Sequence, residues 1–122
     1  MKSVVTVLRM LLRLDFLALL VVGILLWAGH AGLQQLHITL GFVFVLLVII
    51  EGFVAATSKV SLGLVAIAIL WALLLPVVGF GQRTVMVGGL HWLVRLFHLL
   101  FGIGIMGVAE AMGKRAANNL TT

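Results

Sequence analysis

Four long apolar runs, at 10–29, 33–56, 60–78 and 88–112, leave this chain little else to build with. A helix needs about 20 apolar residues to cross roughly 30 Å of hydrocarbon, and no run alternates polar with apolar as a barrel strand would. Of 122 residues, 64% are apolar and only 9% charged, more apolar surface than a soluble core of this size can hide. The same hydrophobicity excludes disorder, and a single proline with no cysteine excludes collagen-like repeats and a disulfide scaffold. The expectation is an all-α fold, a polytopic membrane four-helix bundle in which residues 1–122 form a single transmembrane domain. The breaks between runs, Gly29-His30-Ala31-Gly32, Thr57-Ser58-Lys59 and Gly79-Phe80-Gly81-Gln82 after Pro76, are short. Connections of this length make neighbouring helices antiparallel.

The net charge of +5 is spread over the ends of the runs. That placement fits lipid headgroups of a bilayer and not nucleic acid, whose binding needs a clustered basic patch. Lys2, Arg9, Arg13, Lys59, Lys114 and Arg115 fall on one side, Arg83 and Arg95 on the other, which predicts a multi-pass protein of the cell membrane with both termini cytoplasmic. The basic-then-apolar opening is like a secretory signal, but Ala28-Gly29-His30-Ala31 lacks a small-x-small cleavage site, so an anchor is expected. Residues 3–13 are expected to begin as an interfacial amphipathic turn.

One pattern occurs twice. His30, His37 and Gly41 are spaced as His91, His98 and Gly102 are, and together they use every histidine. The chain therefore reads as two repeated helical hairpins, each with a His-x-x-x-Gly helix as its second member. A seven-residue step turns only about 20° off register along a helix and a four-residue step about 40°. His37, Gly41, Phe44, Val48, Glu51 and Ala55 thus form one stripe, and His91, Arg95, His98, Gly102, Ile105 and Ala109 another. Ionisable groups within spans turn inward, so the stripes are expected to face each other, with His37 and His98 converging in the outer third of the bilayer.

Neutral imidazole is the usual side-chain ligand of haem iron, and an apolar cavity between helices suits a porphyrin. His37 and His98 are the candidate metal ligands. Gly41 and Gly102 would let the macrocycle approach the backbone, and Phe44, Phe97, Phe101 and Trp92 are candidates to line its faces. Arg95 and Arg83 could meet the propionates. His30 and His91 would bond propionates, close the pocket, serve as alternative ligands, or sit at the interface as ordinary polar residues. The glycines, with Gly104, Gly107 and Gly113, equally fit close helix packing of the small-xxx-small kind. Trp27 and Trp71 read as belt or pocket wall. This pattern, over residues 30–52 and 91–110, resembles that of small four-helix membrane cytochromes of the b type. The resemblance implies one haem b per bundle and electron transfer or binding of a small gas such as dioxygen or nitric oxide. A quinol or other redox partner and a homodimer are compatible with it.

Among the acids, Glu51 is expected either to take up protons or to pair with Lys59 or Arg13, Glu110 to cap or meet headgroups, and Asp15 to form an ion pair or a packing hydrogen bond. Two other classes compete: a small proton- or metal-coupled transporter, and a non-catalytic membrane assembly subunit. No activated nucleophile, phosphate loop or thiol points to a hydrolase.

Overall fold

The computed structural model describes residues 1–121, which form four helices: α1 (Lys2–Trp27), α2 (Gln34–Thr57), α3 (Leu62–Gly81) and α4 (His91–Thr121). All four are long and apolar enough to cross a membrane, as a multi-pass membrane protein requires. A 3-10 turn, Ala31–Leu33, leads into α2. No strand occurs among the described residues.

The helices outrun the apolar stretches. Instead of an interfacial turn, α1 is continuous from Lys2, because no breaker interrupts the segment and Val5, Leu8 and Leu12 are buried against the bundle. At 31 residues α4 extends about 46 Å, well beyond the hydrocarbon, and carries exposed Lys114 and Arg115 on its last turns. Pro76 lies inside α3, which continues through Gly79 to Gly81. Having no amide hydrogen, it leaves the Ala72 carbonyl without its helical donor.

Local chemistry ends the helices. After α1, His30 N–H donates to the Leu25 carbonyl and Gly29 N–H to that of Leu26, both 3.0 Å, with Gly29 at φ +105°. This is a Schellman cap, where glycine supplies the left-handed backbone. After α2 the same pair of bonds recurs, Val60 N–H to Ala55 and Lys59 N–H to Ala56, but the left-handed residue is Lys59 at φ 61°. Ser61 then caps α3, its hydroxyl accepting from Leu64 N–H at 3.3 Å. Asn119 of α4 donates to the Ser58 carbonyl at 2.9 Å and ties that helix to the α2–α3 turn.

Each helix packs on its sequence neighbour, α4 returns to α1, and α2 also meets α4 across the bundle, leaving the α1 and α3 backbones diagonally apart. Around the α2–α4 contact the core is closely packed: Val48, Ala55, Ala68, Ala72, Ile105, Ala109, Met112 and Ala116 lie within it at zero exposure. Large apolar side chains such as Leu17, Ile24, Phe53, Leu70, Val77 and Leu100 point outward, as lipid contact demands. The well-packed half holds the first turns of α1 and the last turns of α4, and the other half opens into a cavity.

Candidate functional site

The inward stripes lie where helical periodicity puts them. On α2, Phe44, Val48, Glu51 and Ala55 are buried and His37 and Gly41 half-buried; on α4, Ile105 and Ala109 are buried and His98 and Gly102 half-buried. His37 and His98 consequently meet, with ring centroids 6.2 Å apart and planes at 61°.

Each imidazole is backed by a glycine on the preceding helix. A β-carbon at Gly23 of α1 would sit 3.3 Å from His37 Cε1 and 3.8 Å from Nδ1; one at Gly79 of α3 would sit 3.3 Å and 3.9 Å from the same atoms of His98. The Nδ1–Cε1 edge of each ring thus lies against a neighbouring backbone, and the Nε2–Cδ2 edge is turned away from that glycine. Both Nδ1 atoms are buried without a hydrogen-bond partner.

Beside the pair lies a cavity of about 420 Å³, within the roughly 300–1,000 Å³ range of small-molecule and cofactor sites. Its wall includes both histidines, Phe44, Gly41 and Gly102. At Gly41 and Gly102 an added β-carbon would find no atom within 4 Å, so these glycines border open space. Gly104 and Gly113 behave differently: the first lies under the Trp71 ring and the second under Glu51 and Arg9. Close packing therefore accounts for Gly104 and Gly113 and does not account for Gly41 and Gly102.

Arg83, Arg95 and His91 also line the cavity, at the end away from the packed core. Arg83 stacks over Phe80 at 5.1 Å, and His91 Nδ1 lies 3.3 Å from the Val85 carbonyl. His30 is exposed at the start of the 3-10 turn and does not line the cavity. Nor does Phe101, whose ring packs on Trp71 at 5.5 Å and whose carbonyl accepts the Trp71 indole N–H at 3.2 Å. Trp71 is thereby a packing residue pressed on Gly104. Trp92 and Phe97 are half exposed and lie outside the cavity wall. Gly23, Gly79 and Gln82 line the cavity without having been singled out by spacing, and Trp27, expected as a belt residue or a pocket wall, lines it too. Gly79 is hard to find in sequence because it resembles part of a turn, and Gly23 because only the register of α1 against α2 brings it to His37.

At the opposite end, Glu110 pairs with Arg9 and with Arg13, which also donates through Nε at 3.2 Å. This inter-helix bridge replaces the headgroup role expected of Glu110. Glu51 bonds to neither Lys59 nor Arg13, and both its oxygens are buried and unpartnered, as is Asp15 Oδ2. Among the described residues no three His, Cys, Asp or Glu side chains converge as a metal site would need. Compared with family models, curated proteins and solved structures, the chain matches none of them.

Proposed function

We propose that the cavity receives a b-type haem with His37 and His98 as axial ligands, in a cell-membrane protein that transfers electrons. The observation that carries this reading is the meeting of two half-buried imidazoles, each with its Nε2–Cδ2 edge turned away from the glycine behind it, beside a cavity bordered by two glycines. His37 and His98, with ring centroids 6.2 Å apart, could both reach one iron, which a bound haem would supply. A porphyrin brings four nitrogens of its own, so two imidazoles complete the donor set where no third ligand converges.

When bound, such a group supplies reversible one-electron chemistry. The remaining roles belong to the chain. Gly41 and Gly102 admit a flat ligand close to the backbone, Phe44 gives it an apolar face, and Arg83, Arg95 and His91 offer charge-assisted hydrogen bonds to carboxylates at the mouth. If both His37 and His98 held the iron, electron transfer would be favoured over binding of dioxygen or nitric oxide. The matched Gly23–His37 and Gly79–His98 contacts support a repeat of two hairpins, and the charge asymmetry supports cytoplasmic termini, which would turn the cavity to the outer leaflet.

The test is optical. Protein purified from a haem-replete host should carry a Soret band and a reduced-minus-oxidised spectrum of a bis-histidine b haem, and His37→Ala and His98→Ala should each abolish that spectrum. A wild-type sample without a Soret band overturns the reading. Proton or metal flux sensitive to Glu51→Gln, in a protein without pigment, would instead favour a small coupled transporter, a reading supported by the unpaired buried Glu51.

A further inference from the structure

Glu51 lies on the inward face of α2 at 1% exposure, and neither carboxyl oxygen has a hydrogen-bond partner. A donor nearby is in the same condition: Arg9 Nε is buried and unpartnered. The two side chains meet over Gly113 of α4. A β-carbon built there would collide with Glu51 Oε1 and fall 2.8 Å and 2.9 Å from Arg9 Cγ and Cδ. The terminal Nη2 of Arg9 is directed instead to Glu110. The charged groups that face Glu51 are thus Arg9 from α1 and Glu110 from α4, while α3 contains no ionisable residue.

An ionised carboxylate removed from water with no donor costs several kcal/mol, and a neutral acid far less. Arginine keeps its proton in any protein setting, so the acid is the partner able to change state. We propose that Glu51 is a proton-binding site, loaded and unloaded from the Glu110 end of the bundle, with Arg9 as the counter-ion that shifts onto it when the proton leaves. The arrangement seen here, with no donor on either oxygen, is that of the loaded site. Unloading breaks the O–H bond of the acid and passes the proton to water beside the Arg13–Glu110 pair, whose side chains are 58% and 31% exposed. The carboxylate left behind accepts from Arg9 Nε–H, and loading is the reverse. Glu51 stands 14 residues, or about 21 Å of helix, from His37, so the inference does not depend on what fills the cavity.

Infrared spectroscopy of the full chain in lipid tests this. At neutral pH the wild type should show the carbonyl stretch of a protonated carboxylic acid, shifted by carbon-13 labelling of glutamate, absent in Glu51→Gln, and moved by exchange into D2O. The band should persist to higher pH in Arg9→Gln, which removes the counter-ion, and vanish at lower pH in Glu110→Gln, which frees Arg9 for Glu51. A buried acid of purely structural role would neither exchange nor respond to these two variants. Absence of a glutamate-derived acid band, failure of that band to exchange, or a pH profile unmoved by both variants overturns the proposal. The labelling arm identifies the band even if Glu51→Gln does not fold.

Discussion

Gly23 and His37 are packed so closely that a single methyl group at residue 23 would press on the imidazole, at 3.3 Å from its Cε1. At the other end of the same helix pair, Arg9 and Glu51 meet over Gly113. Both contacts are separated by 14 residues on α1 and by 14 on α2, so the antiparallel register is pinned at two levels about 21 Å apart. The bundle therefore has an imidazole level beside the cavity and a carboxyl level within the packed core. Two half-buried glycines, one on α1 and one on α3, serve as the back wall of the imidazole level.

That back wall can be tested by Gly23→Ala and Gly79→Ala. Each added methyl gains up to about 1 kcal/mol of helix propensity but must displace an imidazole edge by a few tenths of an ångström. Thermal unfolding in detergent should be unchanged or slightly raised in both variants. Retention of haem, read as Soret absorbance per chain after purification, should fall several-fold. Equal pigment in all three proteins would show that the ring positions set by these glycines do not matter to binding.

Gly41→Leu and Gly102→Leu examine the opposite situation, where the added side chain enters open space. Leucine is a strong helix former, so the folded protein should be as stable as the wild type or more so. The side chain would occupy part of the 420 Å³ beside the histidines and should exclude a flat cofactor. The expected outcome is near-complete loss of the Soret band with an unchanged helical circular dichroism spectrum. Full pigment in either variant would move the cofactor away from this cavity.

The positions of the helices and their inward faces were legible in sequence because hydrophobic runs and a 3.6-residue period are properties of one helix at a time. That is why Phe44, Val48, Glu51 and Ala55 fall on one buried stripe as their spacing requires. Contacts between helices depend on register, which no single-helix pattern contains. Glu110 illustrates the point: its angle from the His98 stripe directs it to a helix flank, but only the placement of α1 puts Arg9 and Arg13 there to receive it. Phe101 and His30 share spacing with the site yet lie outside it, Phe101 because Trp71 covers it and His30 because the chain has already left α1 through its cap.

Trp71 and Gly104 form a packing pair that should respond non-additively. In Gly104→Ala the new β-carbon would be 2.5 Å from the indole Cζ2, and the ring is anchored by its N–H to the Phe101 carbonyl. Overpacking of this kind costs about 1–3 kcal/mol, against a propensity gain of about 1 kcal/mol. Net destabilisation of up to about 2 kcal/mol is expected, with a shift in tryptophan emission. Trp71→Phe loses the hydrogen bond, about 1 kcal/mol, but removes the obstructing atoms. The double variant should therefore be more stable than the sum of the two singles implies, in a thermal or denaturant titration of all four proteins.

Lys59 offers a stabilising change away from every candidate site. It holds the left-handed position of the cap that ends α2, at φ 61°, where Gly29 holds the equivalent position after α1. A side chain in that conformation costs about 1–2 kcal/mol relative to glycine, partly offset by the larger backbone entropy glycine loses on folding. Lys59 is exposed and no ion pair engages it, so the substitution breaks no contact that would counter the gain. Lys59→Gly should raise the stability of the bundle by about 1 kcal/mol, measured as a higher unfolding midpoint in detergent. Lys59→Ala should give no such gain, because alanine keeps the β-carbon that makes the position costly. If the two variants unfold alike, the left-handed backbone at Lys59 is not what limits this turn.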